Sequence, residues 1–220
     1  MKQSLVILLL ALCLLAGGCA KSGEKTPVDD PAPVDDPAPA EDPAEIAEGE
    51  VFHSDFMCLS FVVPEEWTVM DRQMIASHIG ANEKYATAEA ADVLAYHIPY
   101  VELWAFDSQG NAVQLMIENP PIPMRDGNTA NTPAEYMDHN RDYLPGLYRG
   151  YGFATSGEER GTISLCGRDY ERFSFSCSSG SDTMTQTMMA AEKDELVYTI
   201  YITCVGEDRT QEILARFSAD

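Results

Sequence analysis

Residues 27–44 are built from one hexapeptide, Pro27-Val28-Asp29-Asp30-Pro31-Ala32, repeated identically over 33–38 and relaxed over 39–44 to Pro39-Ala40-Glu41-Asp42-Pro43-Ala44. No other feature restricts the chain so severely. Proline fixes φ and removes a backbone donor, neighbouring carboxylates repel, and the apolar surface is too small to offset the entropy of ordering. Such a segment is an extended polyproline II spacer, reaching on the order of 50 Å at about 3.1 Å per residue. The repeats hold no basic residue for a proline-motif groove to select, which favours a spacer over a recognition motif.

Ahead of the spacer, Lys2 is followed by a nearly unbroken apolar run from Leu5 to Leu15, and Ala16, Gly17 and Gly18 lead into Cys19. This is the order of a secretory signal peptide, and the run is shorter than the roughly 20 residues of a spanning helix. Leu15-Ala16-Gly17-Gly18-Cys19 resembles the bacterial lipobox, with Ala16 where that pattern more often has leucine. The resemblance implies cleavage after residue 18 and a diacylglycerol on the Cys19 thiol. Two or three acyl chains at one point exceed the single chain that gives only reversible attachment. The mature protein is therefore expected at the cell membrane, lipid-anchored on its extracytoplasmic face, with membrane lipid as a partner through Cys19. The chain divides into a signal peptide (1–18), a lipidated acidic linker (19–50) and one domain (51–220).

The net charge of -22 divides into +1 from Lys2, -8 from residues 19–50 and -15 from residues 51–220. A domain this acidic repels phosphate backbones and anionic headgroups, which excludes nucleic acid as a partner and disfavours direct membrane docking. Cys58, Cys166, Cys177 and Cys204 fall in the domain. Their spacing lacks a C-x-x-C, so neither a thioredoxin-like site nor a zinc knuckle is indicated, and both bridges and free buried thiols remain open.

Alternating Met57, Leu59, Phe61 and Val63 predict a strand that pairs with Val51–Ser54 through a turn near Asp55, and Val69 continues in extended form. Ala90, Val93, Leu94 and His97 share one helical face, predicting a helix over roughly 86–97. Val101–Phe106 and Val113–Glu118 flank Asp107-Ser108-Gln109-Gly110-Asn111, a second hairpin. Thr132-Pro133-Ala134-Glu135 is a capping box, and Tyr136, Met137, Leu144, Leu147, Tyr148 and Tyr151 give the helix it starts a buried face that Pro145 should kink or break. Strands follow at 153–155, 162–165, 170–177, 184–191 and 196–204. In the last, Tyr198, Ile200, Ile202 and Cys204 point one way and Val197, Thr199, Tyr201 and Thr203 the other, the pattern of a strand covered on both faces. Asp208 caps a final helix running through Phe217. The sum is an α+β domain, an antiparallel β-sheet flanked by helices.

The opening hairpin with Pro64-Glu65-Glu66-Trp67, the capped helix from Thr132, the Gly167-containing hairpin before Tyr170 and the closing strand plus helix resemble the Mog1/PsbP-like fold. The resemblance covers residues 51–220 and implies an α/β/α sandwich. Members of that family are mostly accessory or binding proteins without shared catalytic residues, so the fold implies no reaction.

His53, His78, His97 and His139 are scattered without metal-ligand spacing, and Asp138 and His139 diverge by about 100° on a helix. Ser22-Gly23-Glu24-Lys25 matches a catalytic S-x-x-K in letters only, because a spacer builds no oxyanion hole. The 107–111 segment lacks the alternating carboxylates of a calcium loop. No metal, cofactor or catalytic set is expected. The candidate binding surface is aromatic: Trp67, Trp104, Tyr143, Tyr148 and Tyr151, with Met184, Met188, Met189, Tyr198 and Tyr201 as a second group that core packing would equally explain.

These features point to a membrane-anchored, non-catalytic binding or accessory module facing an envelope protein or glycan. The alternatives are an envelope hydrolase using a carboxylate pair, since Asp and Glu are abundant, and a structural subunit of an envelope assembly. If Cys19 carries the lipid, Cys19→Ser moves the expressed protein from the detergent phase to the aqueous phase on phase separation; retention in the detergent phase would reject the anchor.

Overall fold

The computed structural model describes residues 49–81, 84–125 and 127–220, so the leader, Cys19 and the proline-rich segment lie outside the described residues. In chain order the elements are β1 (Val51–Ser54), β2 (Leu59–Val62), β3 (Thr68–Val69), α1 (Arg72–His78), α2 (Lys84–Thr87), α3 (Ala90–Ala95), β4 (Tyr100–Phe106) and β5 (Ala112–Glu118). After them come β6 (Ile122–Pro123), β7 (Thr129–Ala130), α4 (Pro133–Gly150), β8 (Ala154–Leu165), β9 (Arg168–Ser179), β10 (Asp182–Lys193), β11 (Leu196–Val205), α5 (Thr210–Leu214) and β12 (Phe217–Ala219). A seven-stranded antiparallel sheet runs β3-β4-β5-β11-β10-β9-β8, a three-stranded sheet runs β1-β2-β12, and β6 pairs with β7. No helix among the described residues is long and apolar enough to cross a membrane.

β11 is the hub. Its residues from Val197 to Thr203 pair with β5 on one side and its whole length pairs with β10 on the other. Every residue from Val197 to Cys204 is buried, as the two inward-facing rows require. One row joins Trp104, Met116, Phe173, Phe175 and Met188 in a core closed by Ile75, Val93, Tyr136, Leu144 and Tyr148 of the helices. The other row joins Leu103, Val113, Leu115 and Ile117 in a second core, closed by Phe61 and Phe217 of the small sheet, Ile213 and Leu214 of α5, and Trp67. Four helices thus cover one face, and a three-stranded sheet with the short α5 covers the other.

The hairpins, the α4 start and the doubly covered strand form where the residue patterns put them. Thr132 Oγ1 accepts from Glu135 N at 3.2 Å, while Glu135 Oε2 reaches back to Asn131 N at 2.7 Å, a capping box displaced by one residue at its return bond. Pro145 does not break α4, which runs on to Gly150. Proline forfeits one backbone bond, and burial of Leu144 and Tyr148 on either side of it holds the turn against the sheet.

Three elements depart from the local signals. The single helix expected over 86–97 is split into α2 and α3, and α1 precedes them with Asp71 Oδ1 accepting from Met74 N at 2.6 Å. The split has a tertiary cause: Arg72 Nη2 donates to Tyr85 O at 2.9 Å and to Ala88 O at 3.3 Å, and its guanidinium lies over the Tyr100 ring at 4.3 Å. Those carbonyls are drawn away from a continuing helix. At the C-terminus α5 ends at Leu214, and Phe217 opens β12 opposite Phe61, with ring centroids 4.7 Å apart. Burying a phenyl ring outweighs one further helical turn. The two strands expected at 153–155 and 162–165 are one strand, β8, with a register shift between Ser156 and Glu159. Gly157 supplies the left-handed residue there, at φ +64°.

The 107–111 turn closes on one carboxylate. Asp107 Oδ1 accepts from the amides of Gln109, Gly110 and Asn111 at 2.8, 2.8 and 2.9 Å, and Oδ2 accepts from Asn111 Nδ2 at 2.6 Å. Asn111 Oδ1 in turn accepts from Val205 N at 2.8 Å, tying the β4–β5 hairpin to the end of β11. Asp107→Ala removes all four bonds to the carboxylate and should lower stability to chemical denaturation by about 3 kcal/mol. A loss below about 1 kcal/mol would show that the turn is held by the strands alone.

Candidate functional site

The expected aromatic surface is not formed. Trp67 is 1% exposed, Trp104 is 0% exposed and Tyr148 is fully buried. Trp104 lies in the helix-covered core and Trp67 in the core on the opposite face, so the two indoles are separated by the sheet. Strand alternation turns Trp104 toward the helices, and a large ring gains more from complete burial than from a wet surface. Tyr143 is half-buried against the helix-covered core, and Tyr151, just past the end of α4, is 50% exposed. Met184, Met188 and Tyr201 lie in one core and Met189 and Tyr198 in the other, so this second group is packing.

The histidines are dispersed. His53 Nδ1 lies 2.7 Å from Ser60 Oγ, His97 Nδ1 lies 2.9 Å from Asn119 O, and the His78 ring meets the edge of Trp104. Asp138 Oδ1 accepts from Arg160 Nε at 3.1 Å, a partner on β8. No group of three or more metal-ligating side chains occurs among the described residues. Cys58, Cys166, Cys177 and Cys204 are free thiols, which resolves the choice between bridges and free thiols that their spacing left open.

A concave polar site is present among the described residues, and it follows from incomplete cover. On the face carrying the small sheet, β9 reads Tyr170, Arg172, Ser174, Ser176 and β10 reads Ala191, Met189, Thr187, Thr185, so each strand changes from apolar to hydroxyl-bearing along its length. The apolar ends lie under β1, β2 and β12, while the hydroxyl ends face a cleft of about 210 Å³. Its lining comes from β8 (Gly157, Glu159), β9 (Arg172, Ser174, Ser176), β10 (Thr185, Thr187) and the start of α5 (Asp208, Thr210). Ser174, Thr187 and Thr210 are buried, Thr187 to 1% exposure. Within the cleft Arg172 Nη2 donates to Ser174 Oγ at 2.9 Å and pairs with Glu159 Oε2 at 3.3 Å. Ser176 Oγ lies 3.1 Å from Thr185 Oγ1, and Asp208 Oδ1 accepts from Thr210 N at 2.9 Å. Gly157 at the β8 bulge leaves the wall without a side chain. None of these residues was selected from sequence as a site, although Ser174-x-Ser176 and Thr185-x-Thr187 carried the signal: polar residues at period two, on strands whose opposite row holds the buried Phe173, Phe175, Met184 and Met188.

A second cluster is enclosed. Glu118, at the end of β5, hydrogen-bonds to Tyr136 of α4, whose hydroxyl bonds to that of Tyr201 on β11. Burial holds the Glu118 carboxyl up at about 7, against an ordinary 4.5, with the Tyr136 hydrogen bond opposing the rise. Burial likewise raises Tyr136 well above its usual value, with Glu118 and Tyr201 adding to the effect. All three side chains are buried, so the cluster bears on stability.

No protein-family model matches the chain, and no curated protein matches it. Among solved structures it is similar to the solution structure of cyanobacterial PsbP (CyanoP) from Synechocystis, with TM-score 0.44 and 11% identity over 80% of this chain and 94% of that one. It is also similar to a crystal structure of a Bacteroides thetaiotaomicron protein, with TM-score 0.38 and 9% identity over 79% of this chain and 49% of that one.

The Glu118 shift fixes a sign for pH. The unfolded carboxyl loses its proton near 4.5 and the folded one near 7, so between these values the folded state holds the extra proton and rising pH destabilises it. The loss is complete above pH 7 and amounts to about 3 kcal/mol at about 1.36 kcal/mol per pH unit. Glu118→Gln should remove this slope and make the protein more stable than the parent at pH 8. An unchanged slope between pH 5 and 8 in denaturant titrations would assign it to other groups.

Proposed function

We propose that the chain is a membrane-tethered extracytoplasmic lipoprotein whose domain is a non-catalytic binding or accessory module, and that the cleft over β8, β9 and β10 is where it engages its partner. The observation that carries this reading is the set of buried hydroxyls, Ser174, Thr187 and Thr210, lining an open cleft. Burying a hydroxyl is unfavourable unless it is hydrogen-bonded, so a polar recess of this kind is best satisfied by water or a polar ligand. The inferred lipid anchor and spacer would hold the recess away from the membrane, within reach of an envelope protein or glycan. The Mog1/PsbP-like α/β/α sandwich belongs to the same proposal, supported by the order of opening hairpin, α4, the β8–β9 hairpin and closing strand plus α5.

One observation favours a second reading. Glu159 and Asp208 both line the cleft, the arrangement an envelope hydrolase with a carboxylate pair would need. The full chain in detergent, mixed with a soluble envelope fraction, should show slowed hydrogen exchange over β9, β10 and the start of α5. Absence of protection there at saturating concentration would overturn the binding reading. Breakdown of the envelope material that ceases in both Glu159→Gln and Asp208→Asn would replace it with the hydrolase.

A further inference from the structure

We infer that the cleft recognises a single ring of an uncharged, hydroxyl-rich saccharide. The inference rests on the binding reading and names the ligand chemistry of the same site.

The lining forms a two-dimensional array. Ser174 is opposite Thr187 and Ser176 is opposite Thr185 across β9 and β10, while β8 sets Glu159 opposite Ser174. Same-face positions recur about every 6.8 Å along a strand, with about 4.8 Å between strands. Hydroxyl groups at these spacings each donate and accept, so the floor suits a ligand that presents both kinds of group at close intervals rather than one charged head. At the rim, Glu159 and Asp208 add acceptors, Arg172 adds donors and Gln211 offers both.

Charge removes the nearest competitors. Two carboxylates against one guanidinium, in a domain of net -15, oppose phosphates and acidic sugars. A cationic ligand meets Arg172, which already spans Glu159 and Ser174 and offsets the attraction of the carboxylates. An apolar ligand finds little to bury against, because the ring of Phe175, the one aromatic residue of the lining, belongs to the core on the other face of the sheet. The volume of about 210 Å³ is below the roughly 300 Å³ at which drug-sized sites begin, leaving room for one ring, and the open mouth lets the rest of a chain continue outside.

The test is a titration of the full chain in detergent, followed by amide chemical shifts, with glucose, N-acetylglucosamine, glucuronic acid, spermidine and inorganic phosphate as separate probes. At least one neutral sugar should shift residues of the cleft in a saturable way. Thr187→Val and, separately, Ser176→Ala should weaken that binding tenfold or more with the melting temperature unchanged. Ser176 is only partly buried, so its variant folds even if the core variant does not. Cleft shifts with glucuronic acid, spermidine or phosphate and none with the neutral sugars would overturn the saccharide and leave a binding site. Silence of all five probes, with cleft protection by the envelope fraction retained, would likewise overturn the saccharide alone. Loss of both responses would overturn the saccharide and the binding reading together.

Discussion

The structure depends on β11 being buried along both faces and paired along both edges. A strand in that position has no solvent side, so both of its side-chain rows must find apolar cover, and the chain supplies two different covers. Helices α1 to α4 close one row, and β1, β2, β12 and α5 close the other. Removing either would expose a sheet face built of Ile, Val, Tyr and Met, at about 25 cal/mol for each Å² returned to water.

The two covers are unequal, and that inequality makes the site. α4 is long enough to lie across β8, β9 and β10, whereas the small sheet and five-residue α5 extend over only part of the opposite face. Where cover stops, β9 and β10 change from Tyr170 and Met189 to Ser174, Ser176, Thr185 and Thr187. The composition of a strand thus records the edge of the layer above it. Gly157 in the bulge of β8 extends the same opening by withholding a side chain from its wall.

Polar groups inside the domain do two kinds of work. Arg72 and Asp107 organise backbone: one collects the carbonyls of Tyr85 and Ala88 and sits on Tyr100, and the other collects three amides of its own turn. Glu118 instead ties the sheet to α4 by accepting from the Tyr136 hydroxyl, while burial raises its own carboxyl to about 7, so stability and pH are coupled at one carboxyl.

What the sequence determined by itself was whatever depends on neighbours in the chain. Period-two alternation marked β2 and the double burial of β11, the turn residues of 107–111 marked β4 and β5, and a Thr-Pro-Ala-Glu start marked α4. Turn residues joined the hairpins. Tertiary structure decided the rest. The same apolar signal that nominated Trp67 and Trp104 as a surface is satisfied by burial in two separate cores, because exposure depends on what packs above a strand. Arg72, far along the chain from Ala88, split a helix that its own residues favour, and Phe61 drew Phe217 out of another. The cleft was written in Ser174, Ser176, Thr185 and Thr187, but only as a row of polar residues. It became a site because the covering layer ends there, and where a layer ends is set by the packing of distant segments rather than by any local pattern.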